Sequence, residues 1–139
     1  FVLPIGKAKI ERIGSDVTLV AHSMAVGMAL EAAEALSSKE GISCEIIDLR
    51  TIRPIDYGAI ANSVKKTNRC VVVEESWPIA SIASEIAYHV QHYAFDYLDA
   101  PVKRVMQSDT PFPFSPSLMA EALPNVARIS AAVKAVLYK

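Results

Sequence analysis

The sequence has 139 residues, a length that one domain accounts for and that allows an ordinary hydrophobic core. It is 52% hydrophobic and 21% charged, and 14 basic residues against 15 acidic ones leave a net charge of -1. This balance excludes a nucleic-acid surface and a polybasic membrane patch, and it suits a domain that buries area against partners. Cys44 and Cys70, the only cysteines, each fall in an apolar run. They read as small buried hydrophobes of a reducing compartment, not as a disulfide framework. No apolar run is long enough to span a bilayer as a helix. The opening FVLPIGKAKIE has no initiator Met and no signal-peptide layout. It reads as a chain entered midway, with residues 1–6 as linker.

In chain order, KAKIERIGSDVTLVAHS carries two strand-like pieces around Gly14-Ser15-Asp16, which predicts a hairpin. Val17 to His22 is almost continuously apolar or β-branched, the pattern of a strand covered on both faces. Ser23 is the expected cap of a helix with Val26, Ala29, Leu30, Ala33 and Leu36 inward, ended by Gly41. SCEIIDL is a second buried strand. Pro54 and Asp56 open a helix with Ile60, Ala61 and Val64 inward, Lys65 and Lys66 in its last turn and Asn68 as its stop. RCVVVEE is a third buried strand, followed by a helix with Ile79, Ile82, Ala83, Ile86 and Val90 inward. APVKRVMQ predicts a further strand, and SDTPFPFSPS is too rich in proline for helix or central strand. A short helix is expected around Leu118 to Leu123, and a last one from Asn125 with Val126, Ile129, Val133, Val136 and Leu137 inward. Alternating strands and helices imply a single α/β domain with a mostly parallel sheet, helices on both faces, and an N-terminal hairpin or edge strand.

Ligands of such sheets bind at the carboxyl ends of the strands. The loops there carry His22-Ser23, Arg50 to Arg53, Glu74 to Trp77, and Gln107 to Pro113. Two readings follow. A pocket of His, Arg, Glu and Asp could hold a small anion; or Ser23, Ser76 and Asp56 cap helices while arginines and glutamates pair across loops. Adjacent His22 and Ser23 do not make a nucleophile–base pair, and no G-x-S-x-G elbow is present. Glu74 and Glu75 are strand neighbours whose side chains diverge. His89 and His92 stand three apart on a helix, without a third ligand at metal spacing. No G-x-G-x-x-G or Walker loop occurs. The residues alone name no catalytic group, no cofactor site and no metal site.

The ordered set PIGKAKIERIG, LVAHS, DLRTIRPID, VVVEESWP, ASEIA and FDYLDAPVKRV resembles one family. It is similar to the C-terminal, transketolase C-terminal-like domain of the beta subunit of thiamine-diphosphate-dependent 2-oxoacid dehydrogenases, pyruvate type. The likeness covers Leu3 to Lys139. It implies a three-layer α/β fold and membership of a heterotetramer of two alpha and two beta subunits. That enzyme decarboxylates a 2-oxoacid on thiamine diphosphate with magnesium and acylates a lipoyl arm. The family's cofactor and catalytic groups lie on the alpha subunit and on the preceding beta domain. The fragment is therefore expected to bind neither cofactor and to be inactive alone.

The resemblance also implies docking to the peripheral subunit-binding domain of the dihydrolipoyl acyltransferase core, through Asp99 and the carboxylate on Lys139. By the residues alone, Asp99 could equally be a turn residue before Ala100-Pro101. Arg50 and Arg53 are expected at a subunit interface, with the mitochondrial matrix or a bacterial cytoplasm as location. The equivalent domain of a branched-chain or acetoin enzyme, and an anion-binding regulatory domain, are the competing readings.

Overall fold

The computed structural model describes residues 1–139. Five strands make one sheet: β1 (Lys9–Arg12), β2 (Val17–Ala21), β3 (Cys44–Asp48), β4 (Cys70–Glu74) and β5 (Lys103–Met106). Their order is β1-β3-β2-β4-β5, with β1 antiparallel to β3 and every other pair parallel. Helices α1 (Met24–Glu40) and α5 (Val126–Val136) cover one face, and α2 (Tyr57–Thr67) and α3 (Ile82–Ala94) the other. A short α4 (Pro116–Ala122) follows β5.

Side chains alternate across each strand, and both faces are covered, so both sets must be apolar. In β2, Val17, Leu19 and Ala21 pack under α1 and α5, while Val20 packs under α2 and α3. Cys44 lies in the first of these cores and Cys70 in the second, both as free thiols. Burial pushes Cys44 up to about 11, Arg12 countering slightly, and Cys70 up to about 12, so neither is a ready thiolate.

The helix signals act as read at several ends. Gly41 and Asn68 stop α1 and α2 in the left-handed conformation. Asp56 Oδ1 accepts from the Ala59 amide at 3.1 Å, and Asn125 Oδ1 from Arg128 at 2.8 Å.

Four expectations are corrected. The hairpin does not form, because β3 lies between β1 and β2. Instead of folding back, the linking segment crosses the start of β3, where the Ser15 and Asp16 amides both donate to the Ser43 carbonyl. Gly14 passes so close that a Cβ there would stand 2.2 Å from the Cys44 carbonyl carbon. The edge-strand half of the expectation stands. Ser23 does not cap α1: its φ of 56° directs the chain differently, and its side chain makes no capping bond. Ser76 caps no helix; Ser81 does so for α3, accepting from the Ser84 amide at 3.2 Å. Helix α3 accordingly starts at Ile82 and leaves Ile79 exposed.

Candidate functional site

From β2 the chain steps outward to β3, then returns to the other side of β2 as β4. The direction of winding therefore reverses between β2 and β4, the crevice where open α/β sheets take ligands. Here it is occupied by protein. His22, after β2, points its Nε2 at Glu74 Oε1 of β4 from 3.6 Å, too far for a hydrogen bond. That nitrogen is buried and has no other partner. Glu74 Oε2 accepts from the Ala83 amide at 2.8 Å, tying β4 to the first turn of α3. Burial alone would raise the Glu74 carboxyl; the His22 imidazole, with help from the Ala83 amide and Ser76, outweighs it and holds the group below its ordinary 4.5.

Backbone strain gathers on this edge. Ser23 after β2, Arg50 after β3 and Ala80 after β4 all have positive φ, at 56°, 58° and 58°. A left-handed non-glycine residue costs roughly 1–2 kcal/mol, and such strain concentrates at functional sites. Arg50 is held by its own amide, which donates to Asp48 Oδ1 at 2.9 Å. Neither Arg50 nor Arg53 pairs with a carboxylate of this chain, so the reading in which they pair across loops does not hold for these two. Arg53 instead lines a groove of about 830 Å³ with Ile52, Ile55, Ala80, Ile82 and Glu85. The loops after β4 and β5 are tied together, Trp77 Nε1 donating to the Thr110 carbonyl at 2.8 Å and Gln107 N to that of Ser76 at 3.1 Å.

The opposite edge is built differently. Glu45 is buried and accepts from the Gly14 amide at 3.2 Å, from Ser63 Oγ at 2.6 Å and from Lys66 Nζ. Thr18, beside Glu45 in register, continues the chain of bonds to Ser63 at 2.6 Å and Thr67 at 2.7 Å. Burial would raise the Glu45 carboxyl, but Lys66, Ser63 and the Gly14 amide lower it further than burial raises it. Every buried acceptor there is answered.

Asp99 also sits at this amino edge, before β5. Its amide donates to the Asn68 carbonyl at 2.9 Å, and its carboxylate, largely exposed, lies 3.5 Å from the Arg69 guanidinium. Arg69 Nε donates to the Val136 carbonyl and Tyr138 OH to the Asp99 carbonyl, which ties Asp99 to the end of α5 and to Tyr138. A groove of about 540 Å³ runs beside it, walled by Phe95, Leu98, Pro101 and Tyr138.

Around His89 and His92, as elsewhere in the chain, no three His, Cys, Asp or Glu side chains meet. His89 stacks on Tyr57 at 3.5 Å and His92 meets Tyr93 edge-on at 4.6 Å. The crevice itself does not fit a diphosphate with magnesium. Its one buried carboxylate accepts from the Ala83 amide and faces His22, and no glycine turn opens amides toward it.

The family model of the transketolase C-terminal domain matches residues 6–129. This chain belongs to the transketolase C-terminal domain family. Beta subunits of the pyruvate dehydrogenase E1 component resemble this transketolase C-terminal domain along its whole length. The one from Rhizobium meliloti (strain 1021) is 52% identical over 139 residues, 100% of the chain and 30% of that protein. The mitochondrial beta-2 subunit of Oryza sativa subsp. japonica is also 52% identical over 139 residues, 37% of its length. That of Rattus norvegicus is 51% identical over 138 residues, 99% of the chain and 38% of the relative. The chain thus spans about a third of the length of these relatives. Among solved structures, an inactive beta4 tetramer of a split-gene transketolase superposes with a TM-score of 0.85 at 28% identity, over 99% of the chain and 43% of that one. A 2-oxoglutarate:ferredoxin oxidoreductase from Magnetococcus marinus superposes at 0.63 with 13% identity over 94% of the chain and 20% of its own, a likeness of fold alone.

Sequence reasoning missed Glu45, Thr18, Ser63 and Thr67 in this transketolase C-terminal domain. Their signals were present: a Glu inside the apolar run SCEIIDL, a Thr inside DVTLV, and a Ser–Thr pair four apart on α2. Arg69 and Tyr138, which join Asp99 to the chain's last turn, carried no such pattern.

Proposed function

We propose that this chain is the C-terminal assembly and docking domain of a pyruvate dehydrogenase beta subunit. The observation that carries this is identity of 50–52% along essentially the whole chain with proteins of that name from bacteria, plants and animals. Names that specify pyruvate favour that substrate over branched-chain acids or acetoin. The enzyme would be an alpha2beta2 heterotetramer that decarboxylates pyruvate on thiamine diphosphate with magnesium and acylates lipoyl groups. Those reacting groups belong to other parts of the assembly; this domain contributes contacts. Its location is the mitochondrial matrix, or the cytoplasm if the source is bacterial.

Docking to the peripheral subunit-binding domain of the acyltransferase core uses Asp99 and Lys139 at the amino-edge patch. An exposed carboxylate steers a basic partner and speeds encounter. Arg69, 3.5 Å from Asp99, already shares that carboxylate, so a basic side chain of the core competes with it. Surface pairing of this kind is worth only about 0–1 kcal/mol within the fold, which leaves Asp99 available to a partner.

The test is Asp99→Arg in the complete heterotetramer. Binding to the acyltransferase core should fall by about tenfold or more while pyruvate decarboxylation with an artificial electron acceptor is unchanged. Unaltered core binding would remove Asp99 from the interface. Decarboxylation by residues 1–139 alone would remove the claim that the domain is non-catalytic.

A further inference from the structure

Between α2 and α3, away from both edges of the sheet, lies a cavity of about 390 Å³ that no site described above uses. The carboxyl edge also leaves side chains unpaired, namely Arg50, Arg53, Glu75 and Asp109, but that edge is already given to assembly. Ile60 and Val90, both buried in the core beneath, form the floor of the cavity. Its wall is aromatic. Tyr57 stacks on His89 at 3.5 Å with the ring planes 9° apart, and His89 on Tyr93 at 4.8 Å and 28°. His89 and Tyr93 stand four apart on α3, which brings their rings together on one flank of the helix. Tyr57, the first residue of α2, continues the column across the groove between the two helices.

A concave, largely apolar site of this volume with a few convergent polar groups has the form of a small-molecule site. The polar groups gather at one end. Lys65 enters no ion pair within the chain, whereas its neighbour Lys66 is held by Glu45. The Lys65 ammonium lies 5.5 Å from the centre of the Tyr97 ring, a weak hold at an exposed site that leaves its charge available. Asn62, three residues earlier on α2, lines the same cavity and adds amide donors. Glu85 stands at the other end, in the adjoining groove that Tyr57 shares. Burial, with Glu85 adding to it, raises the Tyr57 hydroxyl above its ordinary 10, so the phenol stays a neutral donor. One negative charge is therefore drawn to the Lys65 end, and a second at the far end would meet Glu85.

A flat ring suits a wall of stacked rings, through offset or edge-to-face contact, better than a saturated chain does. We propose that the cavity between α2 and α3 binds a small aromatic monocarboxylate, its ring against Tyr57, His89 and Tyr93 and its carboxylate at Lys65 and Asn62. An aromatic amine is rejected by Lys65, and an aliphatic acid forfeits the aromatic wall. The cavity uses one flank of α3, at His89 and Tyr93, while the groove beside Asp99 uses the other, at Ala87, Gln91 and Phe95. Ligand binding and docking are thus separate events on the two sides of one helix.

The test titrates the full-length protein in its native assembly with benzoate, benzamide, benzylamine and cyclohexanecarboxylate, read by saturation-transfer NMR and calorimetry. Benzoate should bind in the millimolar range or tighter, benzamide about fivefold more weakly, and benzylamine more weakly still. Cyclohexanecarboxylate, which keeps the charge but not the aromatic faces, should bind at least about threefold more weakly than benzoate. Lys65→Met should weaken benzoate by about fivefold and leave benzamide unchanged, and Lys65→Arg should keep benzoate binding. Tyr93→Ala should weaken both benzoate and benzamide by about tenfold. Lys65 and Tyr93 are exposed, so neither variant should lower the melting temperature appreciably. Arg53→Glu should leave benzoate binding unchanged, which separates this cavity from an anion site on the carboxyl edge. No benzoate binding in the millimolar range would overturn the proposal. So would benzylamine or cyclohexanecarboxylate binding as tightly as benzoate, or benzoate binding that neither Lys65→Met nor Tyr93→Ala weakens.

Discussion

The two edges of this sheet solve opposite problems. At the amino edge the buried Glu45 has three donors, Thr18, Ser63 and Thr67 are bonded to one another, and Gly14 lies against the start of β3. At the carboxyl edge one buried histidine nitrogen has no partner, non-glycine residues after β2, β3 and β4 have positive φ, and four charged side chains are unpaired. The first arrangement minimises free energy within the chain, because a buried polar group is tolerable only when answered. The second is incomplete by itself.

That contrast is breakable. The largest effect should come from Gly14→Val, whose Cβ would stand 2.2 Å from the backbone of Cys44. Neither neighbour can yield without opening β3, so we expect a loss of about 3 kcal/mol or more, read as a lower urea midpoint. Glu45→Leu should cost roughly 3 kcal/mol in the same measurement, because the Gly14 amide and Ser63 lose a charged acceptor in a buried place. Acid sharpens this case. The folded carboxyl of Glu45 lies below its ordinary 4.5, so its contribution is complete above that range and is lost as pH falls through the lower folded value. The difference between wild type and Glu45→Gln should therefore shrink on acidification. On the carboxyl edge the sign reverses: Ala80→Gly removes a left-handed alanine and should stabilise by about 0.5–1 kcal/mol, raising the melting temperature. Smallest of all, phosphate should not shift the melting temperature if Arg50 and Arg53 are interface residues. A rise that Arg53→Glu abolishes would favour the anion-binding alternative instead.

Much of the architecture was legible in the sequence because it rests on local signals. Apolar runs at Val17, Cys44 and Cys70 became the doubly covered strands, and Gly41, Asp56, Asn68 and Asn125 ended or opened helices as their chemistry dictates. The hairpin was misread because Gly14-Ser15-Asp16 has turn composition, while its actual contacts lie about thirty residues on, at Ser43 to Glu45. Ser23 looked like a cap because caps are read from residue type, not from φ. The site was less legible. His22 and Glu74 were singled out separately, but only the order β3-β2-β4 makes them neighbours. Asp99 and Lys139 were named by resemblance, and what ties Asp99 to the end of the chain is Arg69 and Tyr138, two side chains that no periodicity marks. Arg50 and Arg53 were expected at a subunit interface, and neither forms a salt bridge within this chain.

Hydrogen exchange on the full-length beta subunit tests the division between the two edges most directly, compared free, in the assembled tetramer and with the acyltransferase core added. Assembly should slow amides in the carboxyl-edge loops around Met24, Arg53, Ile79 and Phe112. Adding the core should then slow only the segments around Asp99 and Tyr138. Protection of one common set of amides by both partners, or of neither edge, would contradict the account.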